Sequence, residues 1–300
     1  MHENNLTAED VGIVVIAWRR WNLLSLLLNR IKSYANLPVF IYIDGPKKED
    51  KSISQVAATI AECRVFQESY DFGCTINESL VNIGCYSNVT RALNEVALTK
   101  KYMIVLEEDC LPSRTFFNFC LNRLDEYVSD ERILQISGTR FLNKTNTTEL
   151  TVSRFAHTWG WATWADRWQL YEQTLVVMNQ PGFVEDCNFD GLTRASMNTL
   201  KGKLRTLVDG DRNIWDYQWL LTGLLHKKYT ILPPCNTVKN IGSGDSALHT
   251  KILPRYLQPE AEDFATDSSV IEDWSFEYDK TYTRVIFDSD WKARLRRRFR

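Results

Sequence analysis

Residues 12–18 (GIVVIAW) and 39–44 (VFIYID) are unbroken apolar runs rich in β-branched side chains. A strand with one wet face alternates apolar and polar residues. A run without alternation must be covered on both faces, as the strands of a parallel sheet are. Between the two runs, Leu23, Leu24, Leu27, Leu28 and Ile31 recur at helical spacing. The pattern then repeats. A helical stretch over 52–63 leads into RVFQES (64–69), read as the next strand, and a helix over 87–98 leads into YMIVLEED (102–109). An amphipathic helix over 114–128 precedes a further strand, ILQISG (133–138). Strands alternating with helices of 10–15 residues predict a doubly wound, mostly parallel α/β sheet. Past residue 150 the rhythm breaks into an aromatic segment, FAHTWGWATWADRW (155–168), then a helix over 215–228 and a strand over 229–234.

Composition narrows the remaining classes. With 44% hydrophobic and 25% charged residues in 300, the chain is a large globular domain, not a disordered, collagen-like or coiled-coil one. A net charge of −2 gives no reason to expect nucleic acid. The charge is uneven, however: eight acids fall between Glu260 and Asp279, and six cations without an acid between Lys292 and Arg300. Such a basic end suits a membrane surface, a neighbouring domain or plain solvent. Seven cysteines without a C-x-x-C pair argue against a disulfide framework and a thiolate zinc site. The polar start, MHENNLTAED, lacks the profile of a signal peptide, and no apolar run is long enough to span a bilayer, so a cytoplasmic address is expected.

In an open parallel sheet, ligands bind beyond the carboxyl ends of the strands. Those ends hold Ala17-Trp18-Arg19-Arg20, then Asp44-Gly45-Pro46, then Glu107-Glu108-Asp109. Three consecutive carboxylates cannot lie unpaired inside a sheet. They mark either a solvated strand end or a site where hard oxygen ligands hold Mg²⁺ or Mn²⁺ against a substrate phosphate. Other phosphate-binding devices are missing: there is no G-x-x-x-x-G-K-[ST] loop and no G-x-G-x-x-G after a strand. Serine-hydrolase and zincin motifs are missing too.

Six of the ten tryptophans lie between Trp159 and Trp219. Trp161, Trp164 and Trp168 fall at helical spacing, which favours core packing. The Trp159-Gly160-Trp161 turn suggests a close backbone approach, with indole faces offered to a sugar. In Trp215-Asp216-Tyr217-Gln218-Trp219 the acid stands at the start of a helix, as an N-cap or as a general base tuned by aromatic neighbours. His249, in a glycine-bearing loop, is either an ordinary loop histidine or a metal or phosphate contact.

Four segments together resemble the metal-dependent glycosyltransferases of the GT-A fold, above all N-acetylglucosaminyltransferase I and similar bacterial enzymes. They are GIVVIAWRR, NIGCYSNVTRALNEV, YMIVLEEDCLPSRTFFNFC, and HTWGWATWADRW with NIWDYQW. The resemblance implies one catalytic domain over 1–250, with a nucleotide-binding half (11–150) and an acceptor half (151–250), followed by an extension over 251–300. It implies Asp109 as ligand of Mn²⁺ or Mg²⁺, joined by His249. Glu107 and Glu108 would contact ribose, sugar or metal-bound water, and Ala17, Arg19, Asp44 and Asn88 the nucleotide. Asp216 would be the catalytic base, with Gly160, Trp161 and Trp215 lining the sugar and acceptor site. The implied activity is inverting transfer from a nucleotide-sugar donor to a glycan or glycolipid acceptor, as in polysaccharide biosynthesis. Two alternatives stand beside it. One is a sugar-nucleotide nucleotidyltransferase, although AWRRWN lacks the glycines of that family's first loop. The other is a non-catalytic carbohydrate-binding or scaffold domain that uses the tryptophans as its surface.

Overall fold

The computed structural model describes residues 6–48, 50–141, 149–190, 192–210, 214–242, 263–264 and 274–285. In the first half, β1 (Val11–Ala17), β2 (Val39–Ile43), β3 (Cys74–Glu78) and β4 (Tyr102–Glu107) are joined by α1 (Trp21–Tyr34), α2 (Asp50–Ser69) and α3 (Gly84–Ala97). A short β5 (Cys110–Pro112), α4 (Thr115–Glu126) and β6 (Ile133–Ser137) follow. The second half holds β7 (Thr151–Ser153), β8 (Trp161–Trp164), α5 (Ala165–Trp168), α6 (Leu170–Met178), α7 (Phe183–Asp186) and α8 (Arg194–Val208). It ends with α9 (Trp215–Leu225), β9 (Tyr229–Leu232), β10 (Val238–Asn240) and a helix over 276–285.

Eight strands form one sheet in the order β3-β2-β1-β4-β8-β6-β9-β7. Neighbours β3, β2, β1 and β4 pair in parallel, as do β6 and β9, while β8 and β7 run against their neighbours. This is the α/β architecture expected: a large, mostly parallel sheet flanked by helices. Its physical basis is the two-sided burial read in the sequence, since every residue of β1 is buried. One core layer joins Leu24, Leu27 and Leu28 of α1 with Phe116, Phe119 and Leu124 of α4. On the other side, Val89, Leu93 and Val96 of α3 share a layer with Trp215, Trp219 and Leu221 of α9.

Two elements differ from expectation. RVFQES continues α2 to Ser69, and the next strand is β3, whose residues are only partly buried or exposed. The run from Trp161 to Trp168 is not one helix, because its first four residues form β8 between β4 and β6 and only Ala165–Trp168 turn helical. The chain beyond 251 also contributes to the fold. The 276–285 helix buries Tyr278, Asp279 and Tyr282, and Asp279 accepts hydrogen bonds from Ser153 Oγ (2.6 Å), the Arg154 backbone (3.1 Å) and the Trp274 indole. Among the described residues, no helix is long and apolar enough to cross a membrane. The basic stretch over 292–300 lies outside the described residues.

Candidate active site

Strand order puts the carboxyl ends of β2, β1 and β4 side by side, so the three sequence corners meet at one edge. The link between β1 and β4 is ionic. Arg20, the last residue before α1, donates from Nε to Glu108 Oε1 (2.5 Å) and from Nη1 to Asp109 Oδ2 (2.9 Å). The other Glu108 oxygen accepts the backbone N–H of Trp18 at 2.7 Å. Burial alone would lower the pKa of Arg20, but the charges of Asp109 and Glu108 outweigh it and raise the group further above its ordinary range. Arg20 is therefore a permanent cation inside an acidic cluster.

Asp44 is buried and fully engaged. Its Oδ1 accepts the backbone N–H groups of Gly45 (2.8 Å) and Ile83 (2.8 Å). Its Oδ2 accepts the side-chain amide of Asn82 (2.7 Å) and the N–H of Gly84 (3.0 Å). A carboxylate at the head of α3 satisfies N–H groups that the helix cannot pair internally. Asn88, also buried, donates to the Tyr42 carbonyl (3.1 Å) and the Ala17 carbonyl (3.5 Å), tying α3 to the ends of β1 and β2. Asp44, Asn88 and Glu108, expected to contact the nucleotide, brace the strand ends through these bonds. Ala17 is buried, and Arg19 stacks its guanidinium 4.2 Å over the Trp18 ring, with Lys47 5.1 Å from the same ring.

Glu107 lies in the electrostatic field of two further carboxylates, Asp109 and Asp216. Burial raises the pKa of Glu107, and the like charges of Asp109 and then Asp216 add to it, pushing it up to about 8 against the opposing pull of Arg20. Asp216 thus lies within electrostatic reach of the β4 end. It is the acid of the first turn of α9, a helix otherwise almost entirely buried. Cys85, near the start of α3, lies in the same field. Its thiol is pushed up by burial and then by Glu107, Asp216 and Asp44, and the Trp215 side chain hydrogen-bonds it. Sequence reasoning passed over Cys85 because nothing in the chain marks that turn of α3 as facing the carboxylates.

The tryptophans fare differently from the sugar-stacking expectation. Trp161, Trp215 and Trp219 are at most 4% exposed and pack with Trp168 and Tyr171, ring centroids 4.5–6.4 Å apart. Their indole faces are spent on one another. Trp219 donates to Gln135 Oε1 and Trp168 to Asn94 Oδ1, each at 2.6 Å, which satisfies polar edges that burial would otherwise penalise. Trp164 lies in the opposite layer with its indole on the Leu124 carbonyl. Of the six tryptophans between 159 and 219, Trp159 alone is partly exposed, edge-on to Phe141 at 4.9 Å. Gly160 does mark a tight approach. Its φ is +65°, and an added Cβ would meet Val238 Cγ2 at 2.6 Å.

A second glycine matters more for the chemistry. β10 pairs with β5, directly after the acidic triplet, and carries Gly242 over the ion pair. A Cβ there would come within 2.0 Å of Asp109 Oδ2 and 2.7 Å of Arg20 Nη1. Among the described residues no three His, Cys, Asp or Glu side chains gather into a ready-made metal cage, and His249 lies outside those residues. Mg²⁺ and Mn²⁺ commonly take one or two carboxylates and complete their shell with water and substrate phosphate. The donors here fit that arrangement: Asp109 offers a hard, partly exposed carboxylate oxygen, and the repulsion felt by Glu107 is what a cation would relieve.

No family model matches the chain, and no curated protein is similar to it. Among solved structures it is similar to S. aureus TarS, with 10% identity and a TM-score of 0.43 over 74% of this chain and 35% of that one. It is also similar to GalNAc-T7 determined with UDP, GalNAc and Mn2+, with 10% identity and a TM-score of 0.49 over 82% of this chain and 46% of that one. A third is 4-diphosphocytidyl-2C-methyl-D-erythritolsynthase from Anaerococcus prevotii, with 12% identity and a TM-score of 0.35 over 68% of this chain and 85% of that one. The chain thus spans about a third of the length of TarS and under half that of GalNAc-T7. At these scores the likenesses do not bear on what the chain does.

Proposed function

We propose that the chain is an inverting, metal-dependent glycosyltransferase of the GT-A type. It would move a sugar from a nucleoside-diphosphate donor to a hydroxyl of a glycan or glycolipid. What supports this reading is that Glu107, at the carboxyl end of β4 in a parallel sheet, lies within electrostatic reach of both Asp109 and Asp216, the acid at the head of α9. The four segments that resemble such enzymes in sequence supply these same residues.

Asp109 would hold Mn²⁺ or Mg²⁺ together with the donor's phosphates. When bound, that ion offsets the charge that builds on the departing nucleoside diphosphate. Asp216, in its carboxylate form, takes the proton of the acceptor hydroxyl as the hydroxyl oxygen attacks the anomeric carbon. The bond from that carbon to the diphosphate breaks on the opposite face, so configuration inverts. One base and one displacement require no covalent intermediate. Glu107, raised above the ordinary carboxylate range by burial and by the like charges of Asp109 and then Asp216, stands in the field that a bound cation would relieve. Burial of Trp161, Trp215 and Trp219 leaves Trp159 as the partly exposed member of the cluster, which counts against a non-catalytic sugar-binding surface.

The test is Asp216→Asn, assayed with a panel of UDP-, GDP- and CMP-sugars and by thermal shift with Mn²⁺ and the nucleotides. Loss of a general base should slow transfer by about 10²–10⁴-fold. Nucleotide-dependent stabilisation should remain. Near-normal turnover in the variant would remove Asp216 from the mechanism.

A further inference from the structure

Arg20 is more than a brace. It is a permanent cation with a side chain 13% exposed, and it spans two carboxylates, Glu108 through Nε and Asp109 through Nη1. Gly242 passes directly over the Asp109–Arg20 contact, so this oxygen of Asp109 is already neutralised and covered on one side. Any divalent cation that takes Asp109 as a ligand must face the guanidinium and the ion pair it makes.

We infer that Arg20 is a resident counter-ion that competes with the divalent cation for Asp109, and that the donor's diphosphate relieves this competition by accepting the guanidinium. The inference rests on the glycosyltransferase reading and adds to it a rule of binding: metal and nucleotide bind cooperatively, each weakly alone. The chemistry favours such an exchange. Guanidinium groups suit phosphate oxygens at least as well as carboxylate, because their forked donors pair with two oxygens at once. Arginine carries five N–H donors, and the contacts to Glu108 and Asp109 engage Nε and one terminal nitrogen. Glu108, with its second oxygen held by the Trp18 N–H, can keep Nε in place while the terminal nitrogens change partner. Coupling is reciprocal, so whatever factor the nucleotide adds to metal affinity, the metal adds to nucleotide affinity.

The experiment is Mn²⁺ binding followed by the electron paramagnetic resonance signal of the free ion, with the metal alone and with UDP, GDP or CDP added. Arg20→Gln should bind Mn²⁺ alone more tightly than the wild type, by about 5–150-fold. A nucleotide that tightens Mn²⁺ binding to the wild type should do so far less in the variant. If Arg20→Gln does not fold, Arg20→Lys serves, because an ammonium cannot hold both carboxylates in the same fork; it should show a smaller gain of the same sign. An Mn²⁺ affinity unchanged or weakened in the variant overturns the competition, and if Asp109→Asn still abolishes binding the metal site itself stands. Absence of Mn²⁺ binding in both proteins, with and without nucleotide, overturns the inference and the metal-dependent reading together.

Discussion

At the scale of single residues, the acids at the sheet edge divide by what their oxygens already touch. Asp109 and Asp216 were legible in the sequence as the acid closing an apolar strand and the acid opening an apolar helix, and Glu107 feels the charge of both. Asp44, Glu108 and Asn88 were equally conspicuous, yet their polar atoms go to backbone and side-chain groups distant in sequence. No local pattern reveals such partners. The Arg19-Arg20 pair makes the same point: one guanidinium stacks on Trp18 and the other enters the carboxylates, a choice set by how the chain leaves β1. The division is testable at Asp44. Asp44→Ala strands the part-buried N–H groups of Ile83 and Gly84, and a donor left unpaired costs up to about 1–3 kcal/mol when fully buried. Urea denaturation should therefore show a loss of about 2 kcal/mol. An unchanged midpoint with weakened nucleotide binding would instead return Asp44 to the ligand-contact role.

At the scale of elements, two-sided burial made β1, β2 and β4 readable, because their apolar runs are continuous and end at charged or turn residues. β3 was hidden by the opposite property. Its residues, Cys-Thr-Ile-Asn-Glu, pair with β2 alone at one end of the sheet order and need little apolar character. β8 was hidden by ambiguity, since its tryptophan spacing fits a helix turn as well as a strand that passes into one. What fixes β8 in place is the turn before it. Gly160 has φ of +65°, its carbonyl accepts the Gly138 N–H at 2.7 Å, and an added Cβ would also meet Leu106 Cδ2 at 3.2 Å. Gly160→Ala combines left-handed backbone strain with overpacking against Val238, each costing about 1–3 kcal/mol. Thermal melting should fall accordingly. A Tm within a degree or two of wild type would mean that the β6–β8 junction relaxes easily and does not fix the strand.

For the whole molecule, buried His157 and partly buried Glu107 should give opposite slopes of stability against pH. His157 is buried among the stacked rings of Phe141 and Tyr282, where the 276–285 helix meets the domain. Burial pushes its imidazole from 6.5 down to about 3, opposed in part by the Thr139 backbone and reinforced to a lesser degree by the charge of Arg140. Between those values the unfolded chain binds a proton that the native protein refuses, so stability is full above 6.5 and falls as pH drops towards 3. Glu107 acts the other way. Its native pKa of about 8 stands above the ordinary 4.5, so the native protein holds a proton the unfolded chain has lost, and stability falls as pH rises from 4.5 to 8. Each slope approaches about 1.4 kcal/mol per pH unit where one full proton separates the two states. From 4.5 to 6.5 the two contributions oppose and nearly cancel. In EDTA, the urea midpoint should therefore be flat across that window and decline on both sides. His157→Phe keeps the ring stack and should flatten the acid limb, and Glu107→Gln, a mimic of the protonated acid, should flatten the alkaline one. If either limb survives its substitution, some other group sets that slope.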